Sequence, residues 1–210
     1  MKEKRNCDVM DIKDQLKERL NAIAGAIKES LTAIDNEAHC LLSDFEKIGM
    51  AFKQMESLAS SFYLQCYLSS FTPSFIDLSV TIRHLSERRH GALIVIERSD
   101  SLERFLHSGI IVGAALTPSL LESIFYPGSP LHDGAVLIRT DQIISAGNVL
   151  PISHAVVLDK KIGTRHRAAI GLTEHTDALV LVVSEETGNT SFAYKGVLHP
   201  IHDIEPALLQ

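Results

Sequence analysis

Cysteine is scarce in this chain. Only Cys7, Cys40 and Cys66 occur, all in the N-terminal third. So few and dispersed a set supplies neither a disulfide framework nor a zinc site, and fits reduced thiols in a cytosolic protein. Long apolar runs are also lacking. The longest, such as 109–116, fall well short of the roughly 20 residues a bilayer-spanning helix needs. The charged start, Met1-Lys2-Glu3-Lys4-Arg5, is not followed by an apolar signal core. Together these predict a soluble, cytoplasmic protein with no membrane partner. Excess positive charge is missing too. Twenty Lys and Arg face 26 Asp and Glu, giving a net charge of -6, so the surface as a whole is not that of a nucleic-acid binder. Neither an internal repeat nor a low-complexity linker is evident.

What is present divides into two textures. The 210 residues are 45% hydrophobic, enough for one good-sized core and an appendage. Val9, Ile12, Leu16, Leu20, Ile23, Ile27, Leu31 and Ile34 recur at steps of three and four, as do Leu41, Phe45, Ile48, Phe52, Met55, Ala59 and Phe62. This spacing predicts two amphipathic helices, with Asp35-Asn36 as turn and N-cap. Gly25 and Gly49 weaken the pattern locally. Two such stripes cannot bury each other fully, so the hairpin must dock on the rest of the chain or on another subunit. We therefore expect an N-terminal extension over residues 1–70 and a second domain over 71–210.

From Thr72 the pattern turns α/β. Thr72-Pro73 predicts a capped helix running to about Arg89. Strands are expected over 91–97, 110–112 and 178–184, with a hairpin of 135–139 and 143–146 around Thr140-Asp141-Gln142. Gly188-Asn189 turns the chain into a further strand at 191–194. Short helices are expected over Ser101–His107, Pro118–Phe125 and, after Gly163, Arg165–Thr173. The fold class is α/β (α+β), a mixed sheet flanked by helices with a helical hairpin in front.

Two motifs carry chemistry. His132-Asp133-Gly134-Ala135 follows a Pro-rich turn and precedes a strand. Its carboxylate suits a hydroxyl nucleophile or a divalent metal, although an Asx turn before a strand reads the same way locally. Gly163-Thr164-Arg165-His166-Arg167 opens a helix. Planar guanidinium forks match phosphate oxygens, helix-start amides favour an anion, and Thr164 could cap. Cations at a helix N-terminus oppose the helix dipole and so ask for a reason. Two weaker stretches accompany them. Val183-Ser184-Glu185-Glu186 ends the most apolar strand, where α/β sheets tend to bind ligands, but is equally a polar strand end. Gly147-Asn148-Val149-Leu150-Pro151 could offer backbone groups to a base ring. His154, His175, His199 and His202 read as surface or structural, and Arg88-Arg89-His90 as a solvated helix end.

In this order and spacing, Asp133-Gly134-Ala135, Gly147 to Pro151, Gly163 to Arg167 with Ala168-Ala169-Ile170-Gly171-Leu172, and Val183 to Glu186 resemble the diadenylate cyclases of the DisA_N domain family. The resemblance covers roughly Thr72 to Tyr194. The family's DNA-binding helix-hairpin-helix region and its transmembrane helices are not found, and the two-helix extension resembles the soluble, sporulation-associated class.

The resemblance implies condensation of two ATP into cyclic di-AMP with release of two pyrophosphates, using Mg²⁺ or Mn²⁺. Two subunits would face each other, making the protein a homo-oligomer, at least a dimer, and a larger assembly is expected. Asp133, within the His132–Ala135 catalytic motif, would activate the ribose 3′-OH or hold the metal. Thr164, Arg165, His166 and Arg167 would hold the triphosphate. Ser184 and Glu186 would contact phosphate or metal, and Leu150 would line the adenine pocket. A nucleotide sensor with a dead site and a purely structural assembly protein are the rival readings. The intact Asp133 and arginine pair argue against the first.

Overall fold

The computed structural model describes residues 9–35, 39–69, 71–154 and 162–201. Asn36, Cys7 and His202 therefore lie outside the described residues. The chain forms two compact units, 1–63 and 64–210. In the first lie α1 (Val9–Ala33) and most of α2 (Leu41–Ser69). The Ser30 hydroxyl links the two helices, donating to Ala26 O at 3.0 Å and Asp44 Oδ2 at 3.4 Å. The Asp35 region is a turn, but α2 begins only at Leu41 and runs seven residues past the predicted Phe62. The predicted stripe is partly open: Ile23 is buried, while Leu20 and Ile27 are 50% and 45% exposed.

The second unit is a seven-stranded sheet ordered β2-β4-β3-β1-β5-β6-β7. Its strands are β1 (Ala92–Ile96), β2 (Ile110–Ala115), β3 (Ala135–Arg139), β4 (Gln142–Asn148), β5 (Leu179–Val183), β6 (Thr190–Tyr194) and β7 (Val197–Ile201). Strand β1 pairs parallel with β3 and antiparallel with β5. Every residue of β1 and β5 is buried, as expected of central strands sandwiched on both faces. Alternation then divides the core. Ile94, Ile96, Val136, Leu179, Leu181 and Phe192 face α3 (Phe75–Glu87), α4 (Pro118–Ile124) and Leu64 and Leu68 of α2. Leu93, Val95, Leu137, Val180 and Val182 face the other way, toward Ala168, Ala169 and Leu172 of α5 (Thr164–Thr173).

Several expectations are corrected. Ser101–His107 is not a helix but a turn followed by an antiparallel bridge from His107 to Val149. The amides of Ser99 and Asp100 bond the Asp177 carboxylate instead, and fully buried Leu102 pins the turn. α3 starts two residues beyond Pro73, with Ser74 at its N-cap, while Thr72 Oγ1 accepts from Ser74 N. Strand β7 was not anticipated, because His199 and Pro200 interrupt its apolar pattern; an edge strand tolerates proline. The 88–90 helix end is not merely solvated: Arg88 and His84 both bond Glu122 of α4, and the His90 ring packs edge-on to Tyr126. His175 stacks on Phe105 and His199 on Phe192, in the structural role expected, while His154 is exposed.

Candidate active site

Register brings the motifs to one edge of the sheet. Ala92 lies opposite Val183, Ile94 opposite Val136 and Ala135 opposite Asn148. The start of β1, the start of β3 and the ends of β4 and β5 therefore share that edge. It is the carboxyl end of β4 and β5 but the amino end of β1 and β3. Asp133 and Ser184–Glu186 sit at ends of strands separated only by β1, a span of about 10 Å. That is on the scale of a ribose with its first phosphates.

Asp133 is exposed at the entry to β3. Gly134 has φ +110, and a Cβ there would lie 2.7 Å from Gly147 C and 2.9 Å from Asn148 O. Only glycine permits this backbone and this approach of β3 to β4. The buried Asn148 amide donates to Ala135 O at 2.8 Å and bonds Ser145 Oγ at 2.9 Å. Its side chain is thus structural. Val149 exchanges both backbone bonds with His107, so its amide is already engaged, while its carbonyl keeps a second lone pair. Leu150 is buried in the core beneath α5. His132 Nδ1 lies 2.5 Å from Ser129 O, a carbonyl that can only accept; the proton is assigned to Nδ1, which leaves Nε2 as an acceptor.

α5 carries the basic half. Gly163, not Thr164, is its N-cap, and among the described residues no side chain caps it. Arg165 Nη1 bonds Glu185 Oε2 at 2.8 Å. Arg167 Nε and Nη2 donate to Ser153 O at 3.3 and 3.1 Å, while Ser153 N donates to Arg167 O. Part of the Arg167 guanidinium therefore pins the 151–153 loop to α5. Gly171 admits the same contact, since a Cβ there would lie 2.4 Å from Pro151 O. Burial, and next the Arg165 charge, hold the His166 imidazole below its ordinary pKa, with Glu186 pulling the other way. Ser184 Oγ accepts from Thr187 N, and Ser86 Oγ donates to Gly188 O at 2.6 Å, fixing the turn that carries Glu185 and Glu186. Gly91, Ser153 and Ser86 were not predicted, and Glu185 figured only within the 183–186 stretch, without its arginine partner. Their roles arise from contacts distant in sequence.

Among the described residues no group of three or more His, Cys, Asp and Glu could hold a metal ion. The hard carboxylate of Asp133 instead fits Mg²⁺-type binding, which uses one or two carboxylates plus substrate phosphates and water.

Residues 79–198 match the family described as DisA bacterial checkpoint controller nucleotide-binding, and residues 3–71 match that described as diadenylate cyclase CdaS, N-terminal. The chain is 51% identical over 189 residues to cyclic di-AMP synthase CdaS of Bacillus subtilis (strain 168), covering 90% of this chain and 91% of that protein. It is 48% identical to diadenylate cyclase CdaS of Bacillus thuringiensis (strain BMB171), covering 91% and 95%. A crystal structure from Bacillus cereus, of a protein called hypothetical membrane spanning, superposes with TM-score 0.76 at 48% identity, covering 92% and 95%. Among the described residues of the present chain, no helix is long and apolar enough to cross a membrane.

Proposed function

The chain belongs to the diadenylate cyclase family and is a nucleotidyltransferase of that family; we propose that its residues divide the work of joining two ATP as follows. Each ribose 3′-oxygen attacks the α-phosphorus of the other ATP. A P–O bond forms, the bond to the β-phosphate breaks, and pyrophosphate leaves carrying the negative charge. Two such transfers close the ring of cyclic di-AMP and release two pyrophosphates. The 3′-OH proton passes to an acceptor at the β3 entry, where Asp133 and His132 Nε2 are the candidates.

Arg165 and Arg167, with the first amides of α5 and Thr164, hold the triphosphate. His166, whose pKa burial and Arg165 hold below the ordinary value, offers a ring nitrogen for a hydrogen bond there. Ser184 contacts a phosphate. Leu150 underlies the adenine, and Gly134 and Ala135 set the backbone from which Asp133 projects. Enzymes of this family depend on a divalent metal. We take it to be Mg²⁺ or Mn²⁺, held by Asp133 with Glu186 as second carboxylate; bound there it would neutralise phosphate charge. Catalysis is alignment and charge neutralisation rather than covalent chemistry.

The observation that carries this reading is the register that brings the Asp133 end of β3 and the Glu186 end of β5 to one edge beside the start of α5. With one nucleotide per domain and two nucleotides per product, the protein works as a homo-oligomer, at least a face-to-face dimer. We assign the helices of 1–70 to building a larger assembly and 71–210 to catalysis. Incubation of the full-length protein with ATP and Mg²⁺ or Mn²⁺ is expected to give the mass of cyclic di-AMP. ATP binding with no such product would leave the sensor reading standing.

A further inference from the structure

Gly91 has an ordinary backbone: its φ lies outside the left-handed region, so its geometry alone does not call for glycine. It is buried at the start of β1. What it lacks is room. A Cβ on Gly91 would lie 2.6 Å from Arg165 Nη1, 2.8 Å from Arg165 Cζ and 2.9 Å from Glu185 Cβ. The Arg165 guanidinium therefore lies directly over the bare Gly91 backbone, with Glu185 bonding Nη1 at 2.8 Å. Arg165 Nε is buried there and has no hydrogen-bond partner among the described residues. A buried donor left unpartnered is costly, so this site keeps the arginine at some expense to the fold.

We propose that Gly91 is a positioning residue for ATP: it is glycine so that Arg165, held by Glu185, lies flat against β1 with its fork oriented before the triphosphate arrives. The proposal rests on Arg165 being a phosphate ligand. A fork already fixed loses less freedom on binding than one swinging in solvent, and a planar donor set displaced by an ångström no longer meets two phosphate oxygens together. The two closest contacts are the tip of a flexible side chain, and Glu185 Cβ at 2.9 Å has only a few tenths of an ångström to give. Gly91→Ala is therefore expected to fold, with the guanidinium making the larger move.

The test is a double-mutant cycle on the full-length protein, with binding of a non-reacting α,β-methylene ATP measured by calorimetry. Gly91→Ala is expected to weaken binding roughly ten- to a hundredfold, the scale of a misplaced contact group. In an Arg165→Ala background the same change is expected to have less than about a twofold effect, because the displaced group is already gone. Equal losses in both backgrounds would overturn the proposal, as would wild-type binding by Gly91→Ala. If Gly91→Ala alone loses thermal stability, adding Arg165→Ala is expected to restore it, and failure to do so also overturns the seat. The Arg165 Nε–H resonance, recorded without nucleotide, separates this inference from the reading beneath it. Its displacement in Gly91→Ala supports the seat even if Arg165→Ala binds ATP normally, an outcome that would remove Arg165 from the phosphate site. An unmoved resonance overturns the seat whatever the affinities.

Discussion

The side-chain amide of Asn148 donates to the carbonyl of Ala135 at 2.8 Å, tying the end of β4 to the start of β3 one residue after Gly134. This bond, made by a side chain only 4% exposed, fixes the backbone from which Asp133 projects. Asn148→Ala leaves that carbonyl and the Ser145 hydroxyl without their partner. We expect a loss of about 1–3 kcal/mol in stability, read by denaturant unfolding, together with slower turnover. Unchanged stability would mean that the Gly134 contact alone holds the two strands.

Asp133→Asn keeps the shape and removes the charge. Turnover is expected to fall at least about a hundredfold with ATP binding largely retained, since both proton acceptance and metal binding depend on the carboxylate. Product formation by mass spectrometry and nucleotide binding by calorimetry check the two halves separately. Full activity would remove Asp133 from the chemistry.

Arg165→Ala and Arg167→Ala are each expected to weaken ATP binding by roughly 1.5–3 kcal/mol. Their stabilities divide them. Arg167 also donates twice to Ser153 O, so its loss frees the 151–153 loop and lowers Tm. Arg165 bonds a mostly exposed Glu185, so its removal changes Tm little. Equal Tm changes would contradict this assignment.

His166 sets a pH dependence whose sign follows from its depressed pKa. As pH falls through the ordinary histidine value of 6.5, the unfolded chain takes up the proton before the folded one does. Its contribution is therefore intact above 6.5 and is lost as pH drops from there toward the folded value. His166→Asn is expected to flatten the decline of Tm over this window. A decline as steep as wild type would place the pH sensitivity in other groups.

The exposed part of the N-terminal stripe is a direct test of assembly. Leu20 and Ile27 are about half exposed within the chain, although their spacing marks them for burial. Leu20→Asp and Ile27→Asp are expected to lower the mass found by light scattering, while the melting of the catalytic unit stays the same. Wild-type mass in both variants would sink the assembly role.

How legible all this was depends on the range of the interactions. β1 and β5 were visible because a run such as Leu179-Val180-Leu181-Val182-Val183 is apolar on both faces, as a central strand must be. The two long helices were visible from local spacing, although the end of α2 was not. Its last turns carry Leu64 and Leu68 into the core of the second unit, and periodicity records burial without saying against what. Ser101–His107 misled because Leu102, Glu103, Arg104, Phe105 and Leu106 favour a helix. The partners that decide otherwise, Asp177 and Val149, are far along the chain. At the site, the Asp133 and Arg165 to Arg167 motifs could be read locally. What holds them could not: Gly91 against Arg165, Ser153 against Arg167 and Ser86 against Gly188 join residues from separate elements.

β1 is the middle of the sheet and also its first strand in the chain, yet one of its hydrogen-bonded neighbours, β5, is among the last. A chain ending at α5 would lack the partner of one edge of β1. It would hold Arg165 without Glu185, and Asp133 without Glu186. The centre of the fold and the carboxylates flanking the basic helix arrive in one step, when Leu179 to Glu186 is added. A C-terminally shortened form ending before β5 is therefore expected to lack both the centre of the sheet and the carboxylates beside Arg165.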